Sequence, residues 1–266
     1  EAAATGCSFW ELIQKDDCRE RQIAQEESFV QLQRMYQAMK EADQDYDETL
    51  HSRSGLVGTD GGKLEHYVEQ EEPICGDFLG RVMEKAVKMG ESNACMKRIV
   101  AAPTAGACGV VPAVFLSMQE KYHYTDEEMT KALYVASGIG GVIASRAFIA
   151  GAQGGCQAEI GSASAMAAGG AVHLRGGSVE AVAHAAAMAL KNLLGLVCDP
   201  VAGLVEVPCV KRNVSGAVVA LSAADMALAG VRSRIPPDEV IDAMREVGIS
   251  MPACLRETGE GGLAAT

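Results

Sequence analysis

The sequence lacks several features that would place it in other classes of protein. Its longest apolar stretch, residues 132–144, contains Ser137 and is shorter than the roughly 20 apolar residues of a membrane-spanning helix. Basic residues are scarce, since 23 Lys and Arg stand against 35 Asp and Glu, and the net charge of −12 argues against nucleic-acid binding. The chain shows no basic segment followed by an apolar one, as a signal peptide would, so we expect a cytoplasmic protein. The hydrophobic content of 48% predicts a globular chain rather than a disordered one.

Strand patterns are also nearly absent, because β-branched and aromatic residues rarely alternate with polar ones. Helix signals run through the chain instead. Three positions have the pattern of helix N-terminal caps: Ser8 with Glu11, Thr125 with Glu128, and Ser178. The first helix is predicted to continue from Phe9 to about Met39, since no Gly or Pro interrupts its helical periodicity.

Residues 136–171 consist mainly of Ala, Gly and Ser. Small residues allow close approach between helices, and a helix that is apolar all round belongs at the centre of a bundle. The sequence therefore predicts an all-α fold, a single large helical domain with buried Ala/Gly-rich central helices. Residues 1–50 are interpreted as an N-terminal helical arm and residues 51–266 as the main domain.

Three polar loops interrupt these helices. The loop 102–109 is rich in small residues, which leave backbone N–H groups open to a carboxylate or phosphate, although an ordinary helix entry fits equally well. The loop 151–159 places Cys156 between Gly155 and Gln157, and the loop 198–209 begins and ends with a cysteine.

The nine cysteines are scattered, and we expect them to be reduced rather than paired in disulfides. None of their spacings matches a zinc or ferredoxin pattern, which would use closely spaced pairs. Cys156, Cys198 and Cys209 nevertheless lie in loops, where side chains converge on a metal more easily than from a helix interior. From these residues alone, packing is favoured over metal ligation, and both interpretations stay open.

Four blocks, Ala102–Gly109, Gly155–Glu159, Cys198–Cys209 and Arg256–Ala264, occur in this order. Together they closely resemble the α subunit or α domain of the iron–sulfur L-serine dehydratase family, from about residue 50 to the C-terminus. The segment Ser52-Arg53-Ser54-Gly55-Leu56 is similar to the start of that module. The resemblance implies an all-helical fold and the deamination of L-serine to pyruvate and ammonia without pyridoxal phosphate.

The resemblance also implies a 4Fe–4S cluster held by Cys156, Cys198 and Cys209, with the fourth iron open to substrate. An open iron can act as a Lewis acid on the serine hydroxyl, and a general base must take the α-proton. The loop Thr104-Ala105-Gly106-Ala107 is the candidate for binding the substrate carboxylate, with Lys211 or Arg212 adding positive charge.

Thr104, Glu159 and Lys191 are the catalytic candidates, and the base is not identified, since a β subunit could also supply it. Glu159 lies close to the first implied ligand, where a helix-capping role is an equal alternative. Lys191 interrupts an apolar helix before Cys198, for which a snorkelling side chain is the ordinary explanation. No role is transferred to Cys254.

Some members of the family carry a β domain on the same chain. This sequence shows none, so we expect a separate β subunit, homo-oligomerisation or both. Two other functions remain as alternatives: the same scaffold acting on L-cysteine with loss of sulfide, and a non-catalytic subunit that senses iron or oxygen.

Overall fold

Eleven α-helices dominate the computed structural model, which describes residues 6–266. They are α1 (Phe9–Arg21), α2 (Gln25–Gln44), α3 (Asp60–Gln70), α4 (Gly76–Ala94), α5 (Val110–Tyr122), α6 (Asp126–Arg146), α7 (Gly151–Gly154), α8 (Ser162–Leu174), α9 (Val179–Lys191), α10 (Cys209–Leu228) and α11 (Pro237–Ser250). No strand occurs within residues 6–266, where two isolated bridges pair His51 with Gly58 and Cys198 with Arg256. The prediction of an all-α fold is confirmed.

The central helix is α8, whose residues 162–172 are all buried. It packs against α5, α6, α9 and α10, and its small side chains allow the short distances that this requires. A Cβ atom on Gly140 of α6, for example, would lie only 2.9 Å from the sulfur of Met166. The predicted Ala/Gly-rich core is therefore present. Cys156 lies in the segment that leads into α8 and is therefore close to the middle of the fold.

The N-terminal segment departs from the prediction of one helix over 9–39. The chain turns at Gln22, which caps α1 in a left-handed conformation with φ of 55°. The turn lets both α1 and α2 pack against α6, and Tyr36 and Met39 of α2 join the main core. Burial of these faces outweighs the local preference for one long helix.

The predicted helix caps at Ser8, Thr125 and Ser178 are all present, the first two as complete capping boxes. Helix α11 runs two residues past Gly248, where the sequence predicted its end. Within residues 6–266, none of the helices combines the length and apolar character needed to cross a bilayer.

Candidate active site

Cys156 lies at a sharp change of backbone direction. Helix α7 is followed by Gly155, whose φ of 76° is one that residues with a Cβ rarely adopt. A π-helical turn, Gln157–Gly161, then leads into α8, and such turns occur frequently at functional sites. Buried Gln157 fixes this turn by donating to the Met244 carbonyl at 3.0 Å and accepting from the Gly195 N–H at 2.9 Å.

Cys198 is held by the C-terminal segment. Its N–H donates to the Leu255 carbonyl at 2.8 Å, and its own carbonyl accepts from the Glu257 N–H at 2.7 Å. Because these bonds flank the bridge to Arg256, the chain after α11 runs alongside Cys198 and brings Glu257 to the site.

The loops bring two of the three predicted cysteines into one close group. The sulfur atoms of Cys156 and Cys198 and one carboxylate oxygen of Glu159 all lie within 4.8 Å of one another. Cys209 is buried at the start of α10. Burial is the main cause that raises the pKa of its thiol to about 12, and the nearby charges of Cys156 and Glu159 raise this pKa further.

The cysteine pair is strongly polarised. The Cys198 thiol donates a hydrogen bond to the Cys156 sulfur, which lowers the pKa of Cys156 and raises that of Cys198. The Arg212 guanidinium also favours the Cys156 thiolate, from an Nη1–Sγ distance of 3.5 Å. One sulfur is therefore prepared to carry negative charge, which is the state in which cysteine binds a metal.

Arg212 braces the two cysteine loops rather than projecting freely into solvent. It donates to the Val197 carbonyl and to an Asp199 carboxylate oxygen, each at 2.8 Å. The other Asp199 oxygen accepts from the Leu263 N–H at 2.8 Å. Arg212 and Asp199 together connect Cys156, the segment 197–199 and the C-terminal segment.

Glu159 lies between two glycines and contacts the first loop. Its Oε1 accepts from the Thr104 hydroxyl at 2.8 Å, and the Gly151 N–H donates to the same carboxylate. A Cβ on Gly106 would lie 3.2 Å from either oxygen, and one on Gly151 would lie 2.9 Å from Oε2. Burial is the main cause that raises the pKa of Glu159, and the nearby charge of Glu257 raises it further.

The loop Thr104-Ala105-Gly106-Ala107 faces this carboxylate as a single 3-10 turn, Ala105–Ala107. The N–H of Ala107 donates back to Thr104, whereas no acceptor within residues 6–266 takes the N–H groups of Ala105 and Gly106. The loop therefore offers backbone donors beside Glu159, as its small residues predicted.

Lys191 and Lys211 contact other parts of the protein. The Lys191 ammonium donates to the Ser233 hydroxyl at 3.3 Å, and exposed Lys211 pairs with Asp60 at 2.7 Å. No contact joins either of them to the cysteines within the described part of the chain.

Sequence reasoning missed the roles of Asn213, Asp199 and Glu257. The Asn213 side chain accepts from the Gly109 N–H at 2.8 Å and donates to the carbonyls of Gly106 and Cys209 at 2.9 and 3.0 Å. It ties the Thr104 loop to the third cysteine. Asp199 and Glu257 lie inside two of the four sequence blocks, but a sequence block does not show which side chains are in contact in the folded protein.

Comparison with known proteins places this site in a family. The family model described as Serine dehydratase alpha chain matches residues 4–264, so the similarity extends into α1 and α2 and not only from about residue 50. The "Probable L-serine dehydratase, alpha chain" of Bacillus subtilis is 52% identical over 241 residues, 91% of this chain and 80% of the relative. The "L-serine dehydratase, alpha chain" of Peptoniphilus asaccharolyticus is 42% identical over 262 residues, 98% of this chain and 90% of the relative.

A longer relative matches through part of its length. The "L-serine dehydratase 1" of Escherichia coli is 45% identical over 181 residues, which make up 67% of this chain and 40% of that protein. With a family model covering nearly every residue, the chain belongs to the serine dehydratase alpha chain family.

Proposed function

We propose that this protein is a lyase, an L-serine dehydratase that converts L-serine to pyruvate and ammonia. The observation that carries the proposal is the convergence of Cys156, Cys198 and Glu159 next to the Thr104 loop. The names of the two long relatives, which are L-serine dehydratase alpha chains, support the same substrate and reaction.

The donor set fits a 4Fe–4S cluster. Cys156, Cys198 and Cys209 are buried and take part in no disulfide, and thiolates are the ligands such clusters use. Arg212 supplies positive charge beside the first sulfur, and Asn213 holds the backbone of the third. When bound through three cysteines, the cluster would supply a Lewis acid for the departing serine hydroxyl.

The chain's own residues would bind the substrate and move its protons. The open N–H groups of the loop Thr104-Ala105-Gly106-Ala107 would bind the carboxylate, and Arg212 would add charge to that side of the site. Glu159, which Thr104 orients, is the better candidate for the base that takes the α-proton. Lys191 is the weaker catalytic candidate, because it would have to exchange its bond to Ser233 to reach a substrate. Loss of the α-proton and the β-hydroxyl gives aminoacrylate, which tautomerises and takes up water to release ammonia.

We further propose that a β subunit completes the enzyme and that it works in the cytoplasm, where thiols stay reduced. The partner is supported by the "alpha chain" in the names of the relatives and by a longer relative of which this chain matches 40%. The alternatives, an L-cysteine desulfidase and a non-catalytic sensor, have no observation in their favour.

The test is anaerobic purification with and without a co-expressed β subunit, followed by assays of iron, sulfide and pyruvate release from L-serine. Replacing Cys156, Cys198 or Cys209 with Ala should abolish both cluster retention and pyruvate release. Cys108→Ala is the matched control, because Cys108 is equally buried and donates to the Met89 carbonyl in the core. If the Cys108 variant lost its iron and the Cys209 variant kept it, the ligand assignment would be wrong.

A further inference from the structure

Glu257 is held at the site by its backbone. Its N–H donates to the carbonyl of Cys198 at 2.7 Å, directly after the residue that pairs with Cys198. Its φ of 63° is a left-handed conformation that residues other than glycine rarely adopt. Such a conformation persists where surrounding contacts enforce it, and here it fixes the start of the side chain beside Cys198.

The Glu257 carboxylate converges with Glu159 and Cys198 on one point. A Cβ placed on Gly151 would lie 3.2 Å from Glu257 Oε2, 2.9 Å from Glu159 Oε2 and 2.8 Å from Cys198 Sγ. Because all three atoms approach the same side of Gly151, the two carboxylates lie close enough together for one small cationic group to contact both.

The two carboxylates differ in what holds them. Glu159 accepts from Thr104 and from the Gly151 N–H. The Glu257 carboxylate has no hydrogen bond or ion pair within residues 6–266, and the nearby Arg212 is already bound to Asp199. A carboxylate that makes no ion pair within the described residues is complementary to a cationic ligand group.

We propose that Glu257 binds the ammonium group of the amino-acid substrate, with Glu159 on its other side. The inference rests on the proposed function, since it names the part of L-serine that this carboxylate recognises. The Thr104 loop would bind the substrate's carboxylate and Glu257 its ammonium, so the site would select α-amino acids over hydroxy acids of the same size.

Two probes separate charge recognition from general damage. D-Serine carries the ammonium group, and 3-hydroxypropionate has the hydroxyl and carboxylate of serine without any amine. Their dissociation constants are measured by anaerobic titration calorimetry on the iron-loaded enzyme, for the wild type, Glu257→Gln and Glu257→Asp. Glu260→Gln is the matched control, because it changes an exposed carboxylate in the same segment.

Glu257→Gln should weaken D-serine binding about tenfold or more, as expected for loss of a hydrogen bond between charged groups, and leave 3-hydroxypropionate unchanged. The KM for L-serine should rise in parallel, with partial recovery in Glu257→Asp and no change in Glu260→Gln. Equal weakening of both probes, a fall in kcat with unchanged binding, or loss of iron from Glu257→Gln would each overturn the assignment. A wild-type enzyme that binds neither probe and releases no pyruvate would instead contradict the proposed function.

Discussion

Two parts of this molecule contain buried charged side chains, and they differ in whether oppositely charged groups lie beside those side chains. On α4, each buried charge has partners: Lys85 lies between Asp43 and Glu120 at 2.9 and 3.0 Å, and Lys88 contacts Glu65 and Glu84, both at 2.7 Å. At the candidate active site, the buried carboxylate of Glu159 makes no ion pair within residues 6–266, and neither does the half-buried Glu257 beside it.

The difference reflects what each region does. A buried charge with ideal partners fixes how helices pack, and α4 thereby joins α2, α3 and α5. A carboxylate that is buried without an ion pair lowers stability, and groups of this kind cluster at sites that bind a ligand or carry out a reaction. Glu91 of α4 has no ion pair within the described residues, but its carboxylate accepts from Tyr46 and from the N–H groups of Asp60 and Gly61, which fixes the start of α3.

The largest expected effect on stability comes from breaking the paired region. Lys88→Met should lower the free energy of unfolding by about 3 kcal/mol, because it leaves Glu84 buried with only the contact from Arg81. Urea denaturation of the metal-free protein measures this. Lys63→Met removes an exposed ion pair with Asp60 and should cost less than about 1 kcal/mol. Equal losses in the two variants would mean that the α4 network does not hold the fold.

The opposite pattern is expected at the site. Glu159→Gln should leave the metal-free protein unchanged or more stable by up to about 1 kcal/mol, because it removes a buried carboxylate that has no cation. Pyruvate release should nevertheless fall by at least about a hundredfold, as for loss of an acid–base group, with iron content retained. Glu246→Gln, at an exposed position, serves as the control. A strongly destabilised Glu159→Gln protein would place this carboxylate with the structural charges of α4.

The two regions also differ in how far the sequence predicts them. Local signals predicted several features of the helices: the capping box at Thr125 and the small-residue composition of α8 both describe what the structure contains. The turn at Gln22 was missed, because burial against α6 and not a local breaker decides it.

At the site, the pattern of blocks predicted Cys156, Cys198 and the Thr104 loop, which the structure brings close to Glu159, but it did not predict their long-range partners. The contacts of Arg212 with Asp199 and of Asn213 with Gly109 depend on how distant loops meet. Glu257 approaches Glu159 only because its backbone pairs with Cys198, and no spacing within the chain encodes that pairing.

The smallest expected effect comes from a variant that tests how Thr104 orients the carboxylate of Glu159. Thr104→Val keeps the shape of the side chain and removes the hydroxyl that donates to Glu159 at 2.8 Å. Glu159 would keep the N–H of Gly151, so the loss should be one hydrogen bond of about 1 kcal/mol, or roughly fivefold in kcat/KM. Thr104→Ser restores the donor and should recover most of the activity.

A double variant tests whether the Thr104 hydroxyl acts through Glu159. If it does, Thr104→Val should have little further effect in a Glu159→Gln background, where the group that the hydroxyl orients is already lost. Independent, additive losses would show instead that Thr104 contacts the substrate directly.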